Sequence, residues 1–169
     1  MAIANARYGR THLKTNRNVS LNAKRRVWYC TYERGSRQQR GIWYGPQGRQ
    51  GYQQVRAWAQ EQSHEHKYRY TLVLSVREGL EVQPEDFCRV MEADRRFEDW
   101  RLIEHTNTDN RHAHVIVFAD KTLRRNELMQ WQREACRQLG EVEQQYQLQM
   151  QRQQQIVLQR QPQYSQEIE

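Results

Sequence analysis

The sequence predicts an α+β domain: a central antiparallel sheet of about five strands, helices packed on it, and a long C-terminal helix. Three observations carry this. YTLVLSV (70–76) is a short, β-branched, apolar run of strand length. WRLIEH (100–105) and HAHVIVF (112–118) are two further strand-like runs, and the six residues TNTDNR between them make a hairpin loop. Stretches with helical spacing flank these runs. The longest starts near Asn126 and places Leu128, Trp131, Ala135, Leu139, Val142 and Tyr146 on one stripe.

The elements follow in chain order. Residues 1–20 are polar and basic and read as a flexible arm. A helix then begins with Ser20 or Asn22 as its N-cap and runs toward Gly35. GSRQQRGIWYGPQGRQG is turn-rich, with a short apolar element at Ile42–Tyr44. VRAWAQEQ (55–62) reads as a short helix, followed by the strand at 70–76. Pro84 suits the first helical position, opening an amphipathic helix to about Arg96 that carries Phe87, Val90 and Met91, with Phe97 just beyond. The two strands of the hairpin come next. The final segment turns glutamine-rich and reads as a solvated helix or as disorder, with its end past Pro162 disordered. The expected organisation is an arm over 1–20, one domain over 21–140 and a tail over 141–169. No internal repeat is visible.

Composition narrows the classes. Only 37% of residues are hydrophobic, against about half for a globular domain, so part of the chain lies outside any core. Three scattered cysteines (Cys30, Cys88, Cys136) do not make a disulfide framework, which implies a reduced, cytosolic setting. No apolar run approaches the roughly 18 residues a bilayer demands, and the N-terminus has no apolar signal core, so neither membrane nor export is expected. Charge is asymmetric. Residues 1–70 hold 14 Lys/Arg against Glu33, Glu61 and Glu65, a net +11; residues 71–169 hold 13 against 17 acids, a net −4. A basic half implies a polyanion partner, because each cation near a phosphate releases a condensed counterion. Trp28, Tyr29, Tyr32, Trp43, Tyr44, Tyr52 and Trp58 lie among these charges. Flat rings between cations suit stacking on unpaired bases, and they equally suit a core.

The histidines carry the chemistry. On a strand, alternate side chains share a face, so His112, His114, Ile116 and Phe118 point one way and Ala113, Val115 and Val117 the other. Two imidazoles about 7 Å apart along one strand face can converge on one cation. The hairpin brings the end of the preceding strand, His105, beside His112. Three histidines from two strands can make a facial set of metal ligands with open positions for substrate, and the same residues equally suit a structural role. His64-Glu65-His66 has the same His-X-His spacing but no strand pattern around it, and reads as solvated surface.

HTNTDNRHAHVIV resembles the motif of the HUH relaxases, the nicking enzymes of conjugative and mobilisable plasmids. There a histidine, a short Asp/Asn-rich loop and His-hydrophobe-His form a metal site. Upstream, WYCTYERG, RGIWYGPQG and HKYRYTLVLSVREG are similar to the early part of such proteins, so the resemblance spans roughly residues 22–120. It implies a minimal single-domain, cytoplasmic bacterial relaxase. Mg2+ or Mn2+ would be held by His105, His112 and His114. The substrate would be single-stranded DNA at an origin of transfer, with accessory relaxosome proteins or a coupling protein as further partners.

The resemblance also implies a tyrosine nucleophile N-terminal to the histidines. Tyr29 fits best, Tyr32 stands one helical turn away, and Tyr8 is third. The family often has an acid two places after the first histidine; here that place is Asn107, with Asp109 and Glu104 as nearby acids, one of which can orient an imidazole, although alternation points Glu104 to the opposite strand face. Arg25, Arg26, Arg34, Arg37, Arg40 and Arg49 cluster around the tyrosine segment as a DNA-binding patch, and Arg111, next to His112, is placed for the scissile phosphate of the DNA. Two other readings compete. Replication initiators and single-tyrosine transposases of the same superfamily place the tyrosine after the histidines, where Tyr146 stands 32 residues beyond His114. A DNA-binding accessory protein that has lost cutting would account for Asn107 and the short chain.

Overall fold

Backbone pairing turns these local preferences into one sheet. The computed structural model describes residues 2–10, 16–32, 41–93, 96–105 and 110–160. Its elements run β1 (Ile3–Arg10), α1 (Asn16–Thr31), β2 (Trp43–Gly45), β3 (Gly48–Gln50), α2 (Tyr52–Glu65), β4 (Tyr68–Ser75), α3 (Pro84–Ala93), β5 (Trp100–His105), β6 (His112–Ala119) and α4 (Arg125–Arg160). The strands form one open sheet of order β1-β4-β6-β5-β2-β3, with every neighbouring pair antiparallel. The histidine-bearing strand β6 is interior, as the hydrophobic run after His114 requires.

The side-chain period of two divides the core. Tyr70, Leu72 and Leu74 of β4, Ala113, Val115 and Val117 of β6, and Trp100 and Leu102 of β5 pack with Phe87, Val90 and Met91 of α3 and Trp131, Ala135 and Leu139 of α4. Ile116 and Phe118 of β6 and Ile103 of β5 face the other way, onto Ala23, Val27 and Cys30 of α1 and Val55, Trp58 and Ala59 of α2. Helices therefore cover both faces, and the histidines share the α1/α2 face with Ile116 and Phe118.

Three expectations change. The sheet has six strands, because the turn-rich segment after Gly41 folds into the pair β2/β3, with Gly48 supplying the positive φ (97°) that its turn needs. The expected flexible arm over 1–20 is in part an edge strand: Ile3–Arg10 pairs in register with β4, from Ile3 opposite Ser75 to Arg10 opposite Tyr68. Its sequence is weakly patterned because an edge strand needs only one ladder partner, and Ala4 joins the α3/α4 core. The expected boundary at 141 falls inside α4. This 36-residue helix is continuous, Val142 and Tyr146 still pack on the core, and only 148–159 are exposed throughout. Residues past Pro162 and the loop residues 106–109 lie outside the described set. No helix among the described residues is long and apolar enough to cross a membrane.

Candidate metal centre

The hairpin does what its spacing requires. His105 pairs directly with His112 across β5/β6, and Ile103 pairs with His114. The three imidazoles close into a triangle with ring centroids 4.7, 5.0 and 5.3 Å apart. One ligand nitrogen from each lies within 4.8 Å of the others, and this group can hold a metal ion. Around one ion with bonds of about 2.1 Å, three nitrogens stand roughly 3.0–3.4 Å apart, inside that bound. His105 is 1% exposed, while His112 and His114 are half-buried. The centre thus has a closed floor and an open side.

Main-chain carbonyls set two tautomers. Nε2 of His105 lies 2.7 Å from the carbonyl oxygen of Cys30, and Nδ1 of His112 lies 3.1 Å from that of Asn110. A carbonyl only accepts, so each of these nitrogens carries the proton. The lone pairs then sit on Nδ1 of His105 and Nε2 of His112, the arrangement a metal ligand needs. Cys30 belongs to the last turn of α1, whose carbonyls have no partner within the helix. The helix directs the negative end of its dipole at His105, which favours a cation there.

Two contacts fix that helix end. Thr31 Oγ1 donates to the Val27 carbonyl (2.7 Å) and accepts from Trp43 Nε1 of β2 (2.8 Å). Tyr29 and Tyr32 flank Cys30 in the same turn. Tyr29 is 53% exposed, with the Arg26 guanidinium 5.7 Å from its ring centre. Tyr32 is half-buried, between Trp28 (5.8 Å) and the edge-on ring of Tyr52 (5.2 Å). The fold thus brings both candidate tyrosines to the helix end that touches His105. Tyr146 goes elsewhere. Its hydroxyl donates to Asp86 Oδ2 of α3 (2.8 Å), and its ring packs on the core of the α3/α4 face, so the sheet separates it from the histidines.

The remaining candidates divide. Glu104 does not sit on the imidazole face. Its neighbour in the β5 alternation, Leu102, faces α3 and α4, and its carboxylate takes the Arg111 guanidinium (3.2 Å). Burial pushes the Glu104 carboxyl up and Arg111 opposes this. Arg111 is correspondingly committed to an ion pair, and is not a bare cation beside His112. Arg25 is exposed and Arg26 half-buried on α1, while Arg49 lies on β3 at the far edge of the sheet. Arg34, Arg37, Arg40, Asn107 and Asp109 lie outside the described residues. Of the rings expected among the charges, Trp43, Tyr44 and Trp58 are core, and Trp28 (46% exposed) and Tyr29 remain available for stacking. His64 is exposed, and His66 pairs with Asp120 (3.0 Å) at the far end of β6, so this second His-X-His makes no metal site. The carbonyl of Cys30 left no trace in the sequence reading, since main-chain groups have no residue signature.

Comparison of the chain with protein-family models, with curated proteins and with solved structures finds no match. The candidate centre therefore stands on its own geometry.

Proposed function

We propose that this chain nicks and rejoins single-stranded DNA at a specific site and strand, through a covalent 5′-phosphotyrosyl intermediate. The observation that carries the reading is the junction of α1 with the histidine triangle: the turn holding Tyr29 and Tyr32 also holds the carbonyl that orients His105. The basic N-terminal half and the exposed rings of Trp28 and Tyr29 suit an unpaired strand.

In this reading Tyr29 is the nucleophile, with Tyr32 as the alternate. The phenol gives up its proton and its oxygen attacks the scissile phosphorus. The bond from phosphorus to the 3′ oxygen breaks, and that oxygen leaves with the electron pair and, through water, takes up the proton the phenol released to become a 3′-hydroxyl. The phosphoryl link is kept on the tyrosine, so the reverse reaction rejoins strands. His105, His112 and His114 would hold Mg2+ or Mn2+, which when bound would supply Lewis-acid polarisation of the phosphoryl oxygen and offset transition-state charge. The setting would be transfer or mobilisation of a plasmid or integrative element in a bacterial cytoplasm, with relaxosome or coupling proteins as partners.

The test is a denaturing gel of protein, Mn2+ and labelled single-stranded pools. A covalent protein–DNA band lost in Tyr29→Phe and His112→Ala but kept in Tyr146→Phe supports the reading. Loss in Tyr146→Phe with retention in Tyr29→Phe and Tyr32→Phe moves the protein to the initiator or transposase class. Tight DNA binding with no adduct on any substrate makes it an accessory DNA-binding protein.

A further inference from the structure

A second cationic feature lies on the histidine face, away from the metal centre. Arg69 of β4 pairs with Phe118 across β4/β6, and Phe118 belongs to the face that carries His112 and His114. The guanidinium of Arg69 reaches α1, where it donates to the Asn22 carbonyl at 3.4 Å. Arg26 stands one helical turn further along α1. The Nε atoms of both arginines are buried without a hydrogen-bond acceptor among the described residues. Burial, and then the positive charge of Arg26, pull Arg69 below the usual arginine range, with Cys30 as the opposing influence and no carboxylate among the described residues acting on it.

Two partly desolvated like charges with no counter-charge among the described residues cost stability, so their presence calls for an anion. Along β4 the same face continues toward the histidines, interrupted by the buried Thr71. Between α1 and the β1 edge, Val73 and Ser75 of β4 are only half-buried and Ile3 is 57% exposed. Ser75 pairs with His112, and Val73 with His114. From Ser75 to Arg69 the strand runs about 20 Å. One end of this strip meets the metal centre, and the other end meets the arginine pair. Arg26 also stacks at Tyr29, which links the pair to the candidate nucleophile.

We propose that Arg26 and Arg69 form a phosphodiester-binding site that holds the backbone of a single strand a few nucleotides from the metal centre. This rests on the nucleic-acid reading above, but not on its cutting chemistry. The experiment is fluorescence anisotropy of labelled oligothymidylate in EDTA, with a salt titration, on the full chain and on Arg69→Gln and Arg26→Gln. Each variant is expected to lose about tenfold in affinity at low salt and to reduce the log–log salt slope by about one, the signature of one phosphate contact. Arg69→Lys should recover part of the loss. Mn2+ binding, followed by calorimetry, should stay unchanged. Wild-type affinity and slope in both glutamine variants, with native circular dichroism, overturns the site. Should Arg69→Gln fail to fold, the half-exposed Arg26→Gln decides alone. An absent covalent adduct defeats the cutting reaction but leaves this binding result standing, so the two failures are distinguishable.

Discussion

The main-chain carbonyl of Cys30 accepts a hydrogen bond from Nε2 of His105 across 2.7 Å, joining the end of α1 to the end of β5. His105 is therefore both a candidate ligand and a tie between helix and sheet. His105→Ala takes that donor from a buried carbonyl and is expected to cost about 1–3 kcal/mol in EDTA. His114→Ala, on a half-buried position, is expected to cost less. Urea denaturation of both variants without metal checks the order.

Metal binding should appear as stabilisation. At a free Mn2+ concentration about 100 times the dissociation constant, an ion that binds only the folded chain adds about 2.7 kcal/mol. Wild type is expected to gain this and lose it again on chelation, whereas His112→Ala and His114→Ala should gain almost nothing. A melting temperature in all three that ignores Mn2+, Mg2+ and Zn2+ refutes the centre.

Gly41 passes close to the strand that delivers His105. A Cβ built there lies 2.1 Å from the Glu104 carbonyl oxygen, a main-chain atom that cannot swing aside. Gly41→Ala should destabilise by about 1–3 kcal/mol and weaken Mn2+ binding, since β5 must shift. Gly48→Ala meets no neighbour and instead strains the positive φ of its turn, so it should cost stability without touching the metal. Unfolding curves and metal titrations of the two variants separate these outcomes.

Tyr146 is read here as structural. Tyr146→Phe removes the bond to Asp86 and should cost about 0.5–1.5 kcal/mol while leaving the proposed strand cutting intact. The contribution depends on pH with a definite sign. Burial, and then Asp86, push the Tyr146 hydroxyl above its ordinary value of 10.0. A raised pKa means that the stabilisation is fully present below pH 10.0 and is lost as pH rises through the higher folded value. The stability gap between wild type and Tyr146→Phe should thus be constant through neutral pH and shrink only in alkali.

The thiols should differ in reactivity. Cys30 and Cys88 are buried, and burial pushes the Cys88 thiol up to about 12, with Glu92 and Glu85 adding to the shift. Cys136 is half-exposed on α4. One rapid equivalent of a disulfide reagent at pH 8 is expected, abolished by Cys136→Ser; two or more rapid equivalents in wild type contradict the buried placement of the other two.

Strand periodicity by itself determined much of this protein. The alternation in HAHVIVF assigned His112 and His114 to one face, and the short loop before it brought His105 to the same corner, because a hairpin register leaves little choice. The amphipathic spacing of Phe87, Val90 and Met91, and of Trp131, Ala135 and Leu139, likewise announced which sides of α3 and α4 would be buried. What only the tertiary structure decided lies in groups without a sequence signature or in contacts between distant segments. The weakly patterned Ile3–Arg10 became a strand because β4 offered an edge with matching register. The orientation of His105 by Cys30 belongs to its carbonyl, which every residue carries. The fate of Tyr146 and the influence of Arg26 on Arg69 depend on which helix covers which face of the sheet. Local periodicity specifies that a face is buried; the partner that buries it is chosen by the packing of the whole chain.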